Sequence, residues 1–202
     1  MMDIVCLDLE GVLVPEIWIN VAQKTGIEAL RLTTRDISDY DLLMKGRLEI
    51  LRKHELSLAD IQDVIATIHP LDGAMEFLAD LRSKTQVIIL SDTFTEFAKP
   101  LMKHLAWPTL WCNNLIIDEE GMIEDYTLRI RDGKYHAIKA LKDLNFRTFA
   151  AGDSYNDLSM IEEADAGCLF RAPKGILESH PHLAQATTYK EFSTVIEEFL
   201  NR

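Results

Sequence analysis

Short runs of consecutive apolar residues recur along the chain, at positions 4–7, 87–90, 110–112, 148–151 and 167–170. Such runs suit parallel strands covered on both faces, because neither side has to meet solvent. Between most of them lie segments with apolar positions at helical spacing, at 74–82, 94–105, 137–144 and 158–164. Strand alternating with helix predicts an α/β domain built on a doubly wound, Rossmann-like parallel sheet. Near the C-terminus Phe192, Val195, Ile196 and Phe199 mark an amphipathic helix packed on that core.

The rhythm breaks twice. Roughly sixty residues separate the first two strands, far more than one crossover helix needs. Apolar positions in this stretch recur at helical spacing, first at Leu42, Leu43, Leu48, Ile50 and Leu51, then at Ile61, Val64, Ile65 and Ile68. The expected organisation is a core of residues 1–14 and 72–202 with a helical cap, 15–71, inserted after the first strand. Pro70-Leu71-Asp72-Gly73 marks the return to the core. The second break is at 115–130, where Asp118-Glu119-Glu120-Gly121 separates Ile116-Ile117 from an alternating run between Met122 and Arg131. This predicts a β-hairpin flap beside the core.

The composition allows one main domain with an insertion: 202 residues, 48% of them hydrophobic. The net charge of −12 argues against nucleic acid and anionic membrane as partners. It would also repel a phosphorylated small molecule, so a site for one needs local positive charge. Cys6, Cys112 and Cys168 are scattered in apolar stretches and read as free thiols, neither a disulfide framework nor a zinc site. No basic leader and no run of membrane-spanning length occurs, so a soluble, cytoplasmic protein is expected. The sequence leaves the oligomeric state open, with a homodimer as the candidate assembly.

Three of the apolar runs end in polar, reactive residues: Asp8-Leu9-Glu10-Gly11, then Ser91-Asp92-Thr93, then Gly152-Asp153-Ser154-Tyr155-Asn156-Asp157. One acidic strand end is as often a turn or a helix cap. Three in order are less easily read that way, because open parallel sheets bind ligands outside the carboxyl ends of their strands. Carboxylates gathered there need a cation, and an all-oxygen donor set favours Mg²⁺. The three motifs contain no His or Cys, which argues against zinc. On a regular strand Asp8 and Glu10 would share a face, and such a pair can supply a nucleophile and a general acid/base. Ser91 can hydrogen-bond phosphate oxygens. Thr93 followed by Glu96 matches a capping box, placing a helix N-terminus at the second motif. Lys134 follows an Asp132-Gly133 turn ahead of the expected 137–144 helix and suits phosphate as a point charge. No Gly-x-x-x-x-Gly-Lys-Ser/Thr loop is present, so a P-loop kinase is not indicated.

These motifs in this order resemble the four motifs of the haloacid dehalogenase superfamily, with the helical insertion where a type-1 cap belongs. Within it the chain resembles the phosphoserine phosphatases, most closely the ThrH-type branch that also passes phosphate to homoserine. The segments Cys6 to Trp18 and Leu90 to Phe94 carry most of that likeness. The resemblance implies Asp8 as nucleophile and metal ligand, and Glu10 as general acid/base meeting Mg²⁺ through its backbone carbonyl. Ser91, with Asp92 beside it, and Lys134 would hold the phosphate, helped by Asn156. Asp153 would be the third metal ligand, supported by Asp157. In the cap, Glu16 would meet the substrate ammonium and Arg47 its carboxylate. Two departures from ordinary phosphoserine phosphatases, Glu10 for an aspartate and Asp92 for a glycine, are similar to the ThrH-type branch. The other readings are a general phosphatase for small phosphomonoesters and a catalytically silent binder of a phosphorylated metabolite.

Overall fold

A computed structural model describes residues 2–33, 36–37 and 39–202. Strand β1 (Met2–Leu7) is followed by α1 (Ile17–Thr25), α2 (Tyr40–Lys53), α3 (Leu58–Ile65) and α4 (Ala74–Lys84) before the chain returns to the sheet. Then come β2 (Gln86–Phe94), α5 (Thr95–His104), β3 (Thr109–Ile117), β4 (Ile123–Thr127), α6 (Gly133–Asp143) and β5 (Phe146–Gly152). The chain ends with α7 (Leu158–Glu163), β6 (Ala166–Phe170), α8 (Lys174–Ser179), β7 (Ala184–Ala186) and α9 (Tyr189–Leu200). Among the described residues no helix is long and apolar enough to cross a membrane.

The strands form one sheet in the order β4-β3-β2-β1-β5-β6-β7, parallel except for the β3–β4 pair. Alternate residues face opposite layers. Val5, Leu7, Ile89, Phe149 and Phe170 join one core with residues of α1, α4, α5 and α9, while Ile4, Cys6, Ile88, Leu90 and Leu169 join another with α6, α7 and α8. Burial on both faces is why the strands read as uninterrupted apolar runs. The chain steps from β1 towards one sheet edge, then crosses back to β5 and proceeds towards the other. The crevice at this reversal lies over the carboxyl end of β1.

All five expected strands, the four helices expected between them and the amphipathic C-terminal helix are present, and residues 15–71 are mainly helical among those described. Several details differ. The expected strand at 110–112 and the first arm of the hairpin are one continuous strand, β3, parallel to β2 at its start and antiparallel to β4 at its end. The second arm is shorter than the alternating run, stopping at Thr127. The Thr93–Glu96 capping box does not form: Phe94 is the N-cap of α5, and the Glu96 carboxylate accepts from Leu115 N at 2.9 Å instead. Helix α6 starts at Gly133, so Lys134 sits in its first turn rather than ahead of it. Strand β7 and helix α8 are too short to leave a periodic signature.

Candidate active site

The chain leaves the sheet immediately after β1, so Asp8 and Glu10 are not strand neighbours on one face. Asp8 N still donates to Ala151 O at 2.9 Å, fixing the end of β1 against β5. A tight loop follows, closed by Leu13 N to Leu9 O at 2.9 Å and Gly11 N to Val14 O at 2.8 Å. The Tyr189 hydroxyl, from α9, donates to Val12 O at 2.6 Å and steadies this loop from the core side. Gly11 has φ +76°, and a Cβ there would lie 2.4 Å from the Asp153 carboxylate carbon. Only glycine gives both the left-handed backbone and the space that lets Asp153 approach. Gly152 plays the same spatial part for Asp157, whose Cγ lies 2.2 Å from where a Cβ would stand.

Asp8, Asp153 and Asp157 are buried, and each offers an oxygen within 4.8 Å of the others'. Lys134 is buried among them, its Nζ donating to Asp8 Oδ1 at 2.9 Å and to Asp157 Oδ1 at 2.6 Å. Burial pulls its ammonium down, but Asp157, Asp8 and Asp92 outweigh burial and hold it well above the usual lysine value. Burial first, and then the charge of Asp157, push the Asp8 carboxyl well above the usual aspartate range. Ionised together, three carboxylates facing one ammonium would leave two negative charges uncompensated, which a divalent cation would balance. The donors are all oxygen, so the cluster fits Mg²⁺. The other oxygen of Asp157, Oδ2, accepts from Asp153 N, Ser154 N and Ser154 Oγ at 3.0–3.1 Å. Asp157 is thus engaged by the protein on both oxygens, which suits support of the cluster better than direct ligation.

Glu10 Oε2 accepts from Ile17 N, the first residue of α1, at 2.7 Å. Burial, with a contribution from the Glu16 charge, raises its carboxyl from 4.5 to about 8. Glu16 is the N-cap of α1, but its side chain makes no cap bond and lines the pocket. Arg47 is buried, with its guanidinium 4.5 Å from the Trp18 ring centroid. Nη2 donates to Leu32 O at 2.8 Å, and the buried Nε has no hydrogen-bond partner among the described residues. Burial lowers its guanidinium to about 10. Glu49 and Arg52, on the same helix, are exposed.

All ten residues singled out in the sequence meet here. Asp8, Glu10, Glu16, Arg47, Ser91, Asp92, Lys134, Asp153 and Asn156 line one cavity of about 100 Å³, and Asp157 lies directly behind it. An outer chamber of about 720 Å³ adjoins this pocket and shares Ser91, Asp92, Lys134 and Asn156 with it. Sequence reasoning missed Tyr40 and Asn113, whose side chains donate to Asp92 O at 3.1 and 3.2 Å. Nothing in their local pattern marks them, because their role comes from contacts made across 52 and 21 residues of chain.

The chain is 56% identical over 190 residues to "Phosphoserine phosphatase ThrH" of Pseudomonas aeruginosa, an alignment covering 94% of this chain and 93% of that protein. It is 55% identical over 200 residues to "Phosphoserine phosphatase" of Pseudomonas syringae pv. tomato, covering 99% of this chain and 84% of that one. Its fold matches a solved structure described as "Phospho-Aspartyl Intermediate Analogue of Phosphoserine phosphatase", with TM-score 0.75, 21% identity and 92% of each chain covered. The profile of haloacid dehalogenase-like hydrolases matches residues 2–165. With that match spanning β1 through α7 and both relatives aligned over nearly the full chain, the protein belongs to the haloacid dehalogenase-like hydrolase family.

Proposed function

We propose that the protein is a Mg²⁺-dependent phosphoserine phosphatase that works through an aspartyl-phosphate on Asp8 and also passes the phosphoryl group to homoserine. One observation carries this reading. A single small pocket holds a buried carboxylate bonded to a buried lysine at one end and an acid–arginine pair, Glu16 and Arg47, in the same wall set. The first half of that set suits a phosphoryl group. The second suits the ammonium and carboxylate of an amino acid, and the unpartnered Nε of Arg47 offers a donor to that carboxylate. Both relatives are named phosphoserine phosphatases, which agrees with the hydrolase part of this reading.

An Asp8 oxygen attacks phosphorus as the bond to the serine oxygen breaks, and Glu10 gives its proton to that oxygen. Lys134, Ser91 and Asn156 hold the phosphoryl oxygens. Water or the homoserine hydroxyl then attacks phosphorus, Glu10 takes the proton, and Asp8 is released. Asp8, Asp153 and the Glu10 carbonyl would hold Mg²⁺, with Asp157 behind them; when bound it adds Lewis-acid stabilisation of the phosphoryl oxygens. Residues 15–71 form the cap that encloses the amino-acid end and limits water. Homoserine is serine with one more methylene, a difference worth only about 1–3 kcal/mol in a pocket.

The test is product analysis after incubation with phosphoserine and Mg²⁺, with and without homoserine. Phosphohomoserine formed at the expense of free phosphate is expected. Free phosphate unaffected by homoserine would remove the transferase half, and no turnover of phosphoserine would remove the substrate assignment.

A further inference from the structure

Asp92 stands where the two cavities meet. Its Oδ2 accepts from Asn156 Nδ2 at 2.8 Å and lies 3.4 Å from Lys134 Nζ. Its backbone is held independently, since the carbonyl accepts from both Tyr40 and Asn113. Arg129 N in turn donates to Asn113 Oδ1 at 3.1 Å, fixing the orientation of that amide. The side chain is held only by Asn156 and Lys134 among the described residues. It is 42% exposed, and the outer chamber of about 720 Å³ gives it somewhere to go.

Asn156 and Lys134 are donors that the proposed function assigns to the phosphoryl group, and this inference rests on that reading. In the structure they are engaged by a carboxylate. A second anion placed on the same ammonium and amide would be repelled by that carboxylate, and the ammonium already faces Asp8 and Asp157 as well as Asp92, so its three N–H groups are taken. We propose that Asp92 is a built-in stand-in for phosphate: it occupies the donors when the site is empty, swings into the outer chamber when a phosphoryl group binds, and returns to expel inorganic phosphate. The penalty applies to every phosphate-bearing ligand. Phosphoserine has its ammonium and carboxylate to offset it, whereas the product ion has nothing but its oxygens. Asp92 is therefore a positioning residue that keeps the product from lingering.

The test uses the full chain with saturating Mg²⁺ and inorganic phosphate as the probe, in the wild type and in Asp92→Asn and Asp92→Ala. Binding is read by calorimetry and as competitive inhibition of p-nitrophenyl phosphate hydrolysis. Phosphate is expected to bind at least tenfold more tightly in both variants. General structural damage weakens binding, so a gain has no such explanation. Two different side chains guard against one variant misfolding. Phosphate binding that is unchanged or weaker in both variants, with a wild type that does bind it, would overturn this inference and leave the phosphoryl-transfer reading standing. Absence of phosphate binding and ester hydrolysis in all three proteins would sink that reading and this inference together.

Discussion

Glu10 is one methylene longer than the aspartate usual at its position in phosphoserine phosphatases, and the extra reach has a visible use. It brings Oε2 to the backbone N–H of Ile17, tying the loop after β1 to the first turn of α1. The same placement costs solvation, so its carboxyl is raised from 4.5 to about 8 by burial and then by Glu16. Between those values the folded chain keeps a proton that the unfolded chain has released. Stability from this group is fully present below about pH 4.5 and is lost as pH rises towards 8, with a slope of at most about 1.4 kcal/mol per pH unit. Glu10→Gln carries no such proton and should lack that slope. Urea unfolding of the metal-free chain between about pH 5 and 8 checks this. Parallel stability curves for the two proteins would show that Glu10 is not held protonated. Asp8, Glu10, Ser91, Asp92, Asp153, Asn156 and Asp157 could be singled out because they follow apolar runs, and Lys134 because it follows a turn, whereas Glu16 and Arg47 come from the family resemblance. The need for glycine at position 11 was not, since it comes from the approach of Asp153, far away in sequence.

At the scale of elements, the apolar runs and helical spacings placed the strands and helices that build both cores, because burial on two faces leaves a direct mark on composition. What they could not give was how the helical insertion is moored. The first turn of α2 meets the hairpin: the Tyr126 hydroxyl donates to Asp41 Oδ1, Arg131 lies 3.4 Å from Asp41 Oδ2, and the Tyr40 ring stands edge-on to Tyr126 at 5.9 Å. With Tyr40 also bonded to Asp92 O, α2 is fastened to β4 and to the end of β2. These partners are polar, partly exposed and paired across long stretches of chain, so no periodicity records them. Tyr126→Phe keeps the ring contact and removes the hydrogen bond. It should cost about 1 kcal/mol of stability and speed amide exchange in α2 several-fold. Unchanged exchange in α2 would mean that the hairpin does not restrain the insertion.

The molecule as a whole carries a net charge of −12, and its topology gathers three of its carboxylates, all buried, at the reversal point of the sheet. Lys134 answers part of that charge, and a divalent cation would balance the remainder. The arrangement is therefore strained by repulsion when metal is absent, and a divalent ion that binds only the folded cluster should stabilise the entire fold by mass action. At Mg²⁺ about a hundredfold above its Kd the gain is about 2.7 kcal/mol, which for a chain of this size raises Tm by about 5–10 °C. The comparison is made at constant ionic strength, so that general screening of the negative surface does not imitate binding. Asp153→Asn removes one ligand charge and should lose most of the Mg²⁺-dependent shift. Equal melting of the wild type in Mg²⁺ and in chelator would show that the cluster does not hold the ion. The same Mg²⁺ shift in Asp153→Asn would place the ion elsewhere in the molecule.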